Sequence, residues 1–108
     1  MLGPSSSAMP RSAGKKPLEW ARAARDAFAA SIDFIASEDP RAAQLVVERV
    51  QDALGLIQAH PKIGKVAGLR GRRMFPIPNT GHIINYRETR SPIRVLRWYR
   101  SKQHVPGA

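Results

Sequence analysis

The stretch Phe34-Ile35-Ala36-Ser37-Glu38-Asp39-Pro40-Arg41-Ala42-Ala43 decides how the first half of this chain folds. Asp39 is a strong helix N-cap, because its carboxylate accepts from the free N–H groups of the first turn. Pro40 follows at the first helical position, where a missing N–H costs nothing. Downstream, Ala43, Val46 or Val47, Val50, Leu54 and Ile57 recur at three- and four-residue intervals, one apolar stripe of a helix. That helix must stop at or before His60, since Pro61 disfavours an α conformation in the residue ahead of it. Gly55 inside it costs about 1 kcal/mol relative to Ala and reads as a site of close packing. Upstream, Trp20, Ala24, Phe28, Ile32 and Ile35 form a second stripe and predict a helix over Ala21–Ser37 that lacks a capping side chain. The short break at Glu38-Asp39-Pro40 makes the pair an antiparallel hairpin.

Outward from the hairpin the pattern changes. Pro17-Leu18-Glu19-Trp20 reads as a short edge strand, the one place in a sheet where a leading proline is tolerated. Residues 1–16, rich in Ser, Gly, Pro and Ala, read as a disordered leader, with the folded domain at 17–106. Residues 61–71 hold three glycines and read as a loop. Three β-type runs follow: Arg73–Pro78, His82–Arg87 and Ile93–Tyr99, separated by Asn79-Thr80-Gly81 and Thr89–Pro92. They predict a three-stranded antiparallel meander. Edge strand, helical hairpin and meander together make a two-layer α+β sandwich, with both helical stripes on one sheet face and the other face partly open.

Charge is divided unevenly. Residues 1–17 carry three basic groups and no acid, and residues 18–59 carry four arginines against seven acids. Residues 60–108 carry eleven Lys and Arg against Glu88 alone, so this half accounts for the whole net charge of +10. Such asymmetry points to an acidic partner, nucleic acid or an acidic protein segment. On the last strand, strict alternation sets Ile93, Val95, Arg97 and Tyr99 on one face and Arg94, Leu96, Trp98 and Arg100 on the other. Leu96 and Trp98 compete with Ile93 and Val95 for the core. Either way some arginines leave the sheet for open space, and Arg73 and Arg87 can join them in holding phosphate or carboxylate groups.

Other chemistry is poorly supported. No cysteine is present, so disulfides and thiolate metal sites are excluded. His60, His82 and His104 lack metal-ligand spacing. Gly64, Gly68 and Gly71 are not followed by a helix, as a phosphate-cradling loop requires. No serine lies in a nucleophile elbow. No apolar run is long enough for a membrane span, and the N-terminus lacks a secretory h-region, which reads as a cytoplasmic protein without cofactor or metal.

The order of segments resembles a known family. Phe34-Ile35-Ala36 with Pro40-Arg41-Ala42-Ala43 is similar to the "Y-I-A … P-x-A-A" stretch of ParE-type toxins of the wider ParE/RelE group. His60-Pro61-Lys62-Ile63-Gly64-Lys65 resembles their "x-P-x-x-G-R" loop, and Gly71-Arg72-Arg73-Met74-Phe75 their "G-x-R-x-x" segment. Ile83-Ile84-Asn85-Tyr86-Arg87 and Ile93-Arg94-Val95-Leu96-Arg97 are similar to the "Y-x-I-x-Y-R" and "V-x-I-L-R" strands. The resemblance covers about residues 17–106. Two positions depart: Arg100 stands where relatives usually carry His, and Gln103 where they carry Arg. The aspartate usual early in the first helix falls one place off, at Asp26, or is replaced by Ala27.

What the resemblance implies is the toxin of a type II toxin–antitoxin module, neutralised by a cognate ParD-like antitoxin with an acidic C-terminal tail. Expected partner contacts are Arg87, Arg94, Arg97, Trp98, Tyr99, Arg100, Lys102 and Gln103. Relatives of the ParE kind poison DNA gyrase, and those of the RelE kind cleave mRNA on the ribosome. A ribonuclease would draw on Arg73, Arg87, Arg97, Tyr99, Arg100 and Lys102, but an arginine at the usual histidine position stays protonated and cannot act as a base. Gyrase is therefore the expected target, ahead of ribosome-dependent mRNA cleavage. A basic RNA-binding module, stacking bases on Trp98 and Tyr99, is the reading from a different class.

Overall fold

A computed structural model describes residues 15–101. The chain runs β1 (Leu18–Trp20), α1 (Arg22–Glu38), α2 (Pro40–Ala59), β2 (Lys65–Val66), β3 (Arg72–Ile77), β4 (His82–Glu88) and β5 (Ile93–Arg100). The five strands form one sheet in the order β1-β5-β4-β3-β2. β1 pairs parallel with β5, and every other pairing is antiparallel. This is the two-layer α+β sandwich expected, with one addition. Within residues 61–71, read as loop, Lys65 and Val66 pair with Met74 and Arg73 as a short outer strand.

Asp39 builds the hairpin bend from both sides. Its N–H donates to the Ile35 carbonyl at 2.7 Å, closing α1, while its carboxylate accepts from Arg41 and Ala42 at 3.1 and 3.2 Å, opening α2. No side chain caps α1, as its sequence foretold. Its start is held by the Ala21 N–H, which donates to the Val95 carbonyl at 2.8 Å. Lys16, read as the last leader residue, bonds to the folded body. Its ammonium meets Glu88 at 3.1 Å and the Thr89 carbonyl at 2.7 Å.

Both helical stripes cover the same sheet face. Ala24, Val50, Ala53, Leu54 and Ile57 meet Ile77, Ile84, Tyr86, Ile93, Val95 and Trp98 in the core. An aromatic row runs beneath α1: Trp20 to Phe28 at 5.3 Å, Phe28 edge-on to Trp98 at 4.9 Å, and Trp98 stacked on His82 at 4.5 Å. The Trp98 indole N–H donates to Ser31 Oγ at 2.9 Å, so its one polar atom is satisfied within the core.

Gly55 was expected to mark close packing, but a Cβ placed there meets nothing within 4 Å. Its flexibility is only a cost to the helix. Gly55→Ala is expected to stabilise the protein by about 1 kcal/mol, which raises Tm by roughly 4–8 °C in a domain of this size. A thermal melt in which Tm stays level or drops would show an unseen constraint at that position.

The open sheet face as candidate interface

A bulge decides which side chains reach the open face. Asn85 stands opposite Arg97 but Tyr86 stands opposite Val95, so Leu96 is an extra residue on β5. The extra residue reverses the alternation. Ile93 and Val95 face the helices before it, and Trp98 faces them after it, all three buried. The two faces that competed in the sequence therefore each supply part of the core, and Leu96 is only half-buried. Trp98, expected as a partner contact, lies under α1 and presents nothing to the surface.

Register then assigns the open face. Glu19, Arg94, Arg87 and Arg72 are successive cross-strand neighbours on β1, β5, β4 and β3. A second row holds Arg97, Asn85, Met74 and Lys65, and a third holds Tyr99, Ile83 and Pro76. Neighbouring strands lie about 4.8 Å apart, so the three arginines of the first row stand directly side by side. Like charges in that position repel and weaken a sheet. Only Arg94 is relieved, by Glu19 at 2.9 Å, and that exposed pair contributes little. Among the described residues Lys65, Arg70, Arg72, Arg87 and Arg97 make no ion pair. The Arg97 guanidinium lies 5.4 Å from the Tyr99 ring. At the turn end of this face Met74, Pro76, Pro78 and Ile83 line a shallow depression of about 500 Å³.

Of the expected site residues, Arg87, Arg94, Arg97 and Tyr99 come together here. Arg73 does not, because it projects to the helix side and donates to the Gly64 and Lys62 carbonyls at 2.7 and 3.2 Å. Arg100 also faces the helix side, opposite His82 and beside Ser31, Phe34 and Ile35 of α1. Lys102 and Gln103 lie outside the described residues. The residues named for a ribonuclease are thus spread over two faces. Arg72 and Lys65, absent from that expectation, join the open face. The signal for Arg72 was present, since the turn between Ile77 and His82 fixes the register that sets it opposite Arg87.

Beside Arg73, the Pro61–Gly64 loop is clamped by Tyr86. Its hydroxyl accepts from the Gly64 N–H at 2.9 Å and donates to the Pro61 carbonyl at 2.8 Å. Burial pushes the Tyr86 phenol above its ordinary pKa, so it keeps the proton that second bond requires. At the other end of β4, His82 is buried with Nδ1 unpaired. Burial, and next the Arg100 charge, lower its pKa, against a weaker opposing effect from the Thr80 backbone. The unfolded chain takes a proton near pH 6.5 that the folded chain refuses, so stability is present above that pH and lost as pH falls towards the lower folded value. Urea midpoints should therefore fall as pH drops below 6.5, and His82→Gln should remove that part of the decline. An unchanged pH profile in His82→Gln would assign the decline elsewhere.

A helical hairpin on one face of a mixed five-stranded sheet is a fold this domain shares with a solved structure. The structure described as "Chromosomal ParDE TA system from P. aeruginosa" superposes with a TM-score of 0.72 at 19% identity, over 83% of this chain and 100% of that one. No curated protein sequence gives a significant match. The profile of the family described as "ParE toxin of type II toxin-antitoxin system, parDE" matches residues 18–103. The chain belongs to the ParE toxin family.

Proposed function

We propose that this chain arrests growth by inhibiting DNA gyrase and is neutralised by an antitoxin whose acidic tail folds onto it. The observation that carries the reading is the family match over residues 18–103. The concentration on the open face of cations without an ion pair among the described residues supports an acidic partner, since complementary charge speeds and orients association. An apolar groove of about 310 Å³ between the helices, lined by Trp20, Phe28, Val47, Val50 and Leu54, suits the apolar face of the same tail. No helix among the described residues is long and apolar enough to cross a membrane.

Expression of the chain alone should stop growth, and co-expression with the neighbouring antitoxin gene should restore it. In vitro the protein should block gyrase supercoiling at micromolar concentration and leave ribosome-bound transcripts intact. Transcript cleavage without supercoiling inhibition would replace this reading with the ribonuclease one. Arg87→Glu with Arg97→Glu should weaken antitoxin binding by roughly tenfold to a hundredfold, chiefly through slower association. Unchanged antitoxin affinity in that variant would remove the open face from the interface.

A further inference from the structure

The open face continues into a protruding turn. Between β2 and β3 the chain reverses through Gly68, Leu69, Arg70 and Gly71, with Gly68, Arg70 and Gly71 at φ of 88°, 59° and 72°. The Ala67 N–H donates to the Arg72 carbonyl at 2.9 Å, and the Arg72 N–H to the Leu69 carbonyl at 3.3 Å. The turn is therefore fixed to the first arginine of the open-face row. At its tip Leu69 is 78% exposed, the most exposed large apolar side chain described. Arg70 occupies a left-handed position that glycine would fill with less strain. Residues 60–87 contain six Lys and Arg and no acid.

We propose that this face binds the backbone of duplex DNA, with Lys65, Arg70, Arg72, Arg87 and Arg97 on phosphates and Leu69 as an apolar wedge at a base step. Three observations select that partner. Cations in two adjacent rows, unpaired within the described residues, match a phosphate backbone, where release of condensed counterions supplies the affinity. A leucine 78% exposed, next to Arg70 on a glycine-bounded turn, has the form of wedges that enter between base pairs from the minor groove. Single-stranded nucleic acid requires stacking platforms. Here Trp20, Phe28 and Trp98 are turned to the core, and Tyr99, the aromatic left on the open face, lies against Arg97. This inference does not depend on gyrase being the target.

The test is fluorescence anisotropy of the full chain, made by cell-free synthesis, on a 20-base-pair duplex and on its single strands across 50–200 mM salt. Five phosphate contacts give a slope of log K against log salt of about −4.5, a loss of roughly 500-fold over that range. Arg72→Gln with Arg87→Gln should reduce the slope by about 2. Leu69→Ala, which touches nothing in the core, should keep its Tm, bind about tenfold more weakly and no longer brighten 2-aminopurine placed at the bound step. Tighter binding to single strands, a slope untouched by the double substitution, or no binding at 50 mM salt would each overturn the proposal. Binding of an acidic peptide with no binding of duplex would overturn the proposal and leave the face to the antitoxin tail alone. Supercoiling assays on the same variants separate the two readings. Duplex binding without gyrase inhibition keeps this inference and removes the proposed function, and inhibition without duplex binding does the reverse.

Discussion

Gly64→Ala should destabilise the protein by about 3 kcal/mol, a large fraction of the total stability of a small domain. A Cβ at Gly64 would lie 2.7 Å from the Tyr86 hydroxyl, 2.9 Å from the Met74 carbonyl oxygen and 2.9 Å from Tyr86 Cε1. None of these neighbours is free to yield. Met74 is held in β3 between Lys65 and Asn85, and Tyr86 is fully buried in the middle of β4. If the Tyr86 hydroxyl retreats, the Gly64 N–H and the Pro61 carbonyl lose their partner, each loss costing about 1 kcal/mol or more where water cannot replace it. The requirement for glycine is thus one of space.

Tyr86→Phe isolates the second part of that cost. It removes the hydroxyl and both its hydrogen bonds and should destabilise by about 2 kcal/mol. The double variant should fall short of the sum by about 1 kcal/mol, because the 2.7 Å clash disappears with the hydroxyl while the contacts with the Met74 carbonyl and ring Cε1 remain. Urea denaturation of the four proteins of the cycle measures this. Strict additivity, or a loss below about 0.5 kcal/mol for Gly64→Ala, would mean that the loop moves freely against the sheet.

The same loop shows where sequence reading ran out. The Pro61–Gly64 segment was legible as a family motif, yet the reason for its glycine lies 22 residues away in the Tyr86 hydroxyl. Arg73 looked like a surface cation for the same reason. Its two carbonyl acceptors belong to a loop whose path no local pattern gives. The hairpin, by contrast, was readable to within a residue at each end, because Asp39 and Pro40 act on their own backbone neighbours. On β5 a one-residue bulge reverses the alternation, and bulges are set by pairing rather than by composition. The open face was recognisable as basic, while its membership became clear only with the register that brought in Arg72 and Lys65 and removed Trp98 and Arg100.

Trp98→Ala is expected to cost about 3–5 kcal/mol, the range for deleting a large buried aromatic side chain. Three contacts go together: the stack on His82, the edge contact with Phe28 and the hydrogen bond to Ser31. Trp98→Phe keeps most of the ring contact and leaves Ser31 Oγ without its donor, so it should cost about 1–2 kcal/mol. The two variants also separate packing from titration. His82 resists protonation chiefly because it is buried. Phe at position 98 keeps that cover, so the loss of stability on acidification should persist. Ala admits water to the ring, so the His82 pKa should move back towards 6.5 and the pH dependence should flatten even as overall stability falls. Histidine ring titration by NMR reads the pKa directly. A His82 pKa that stays low in Trp98→Ala would assign the shift to the Arg100 charge on the neighbouring strand, and Arg100→Gln would then be the variant that raises it.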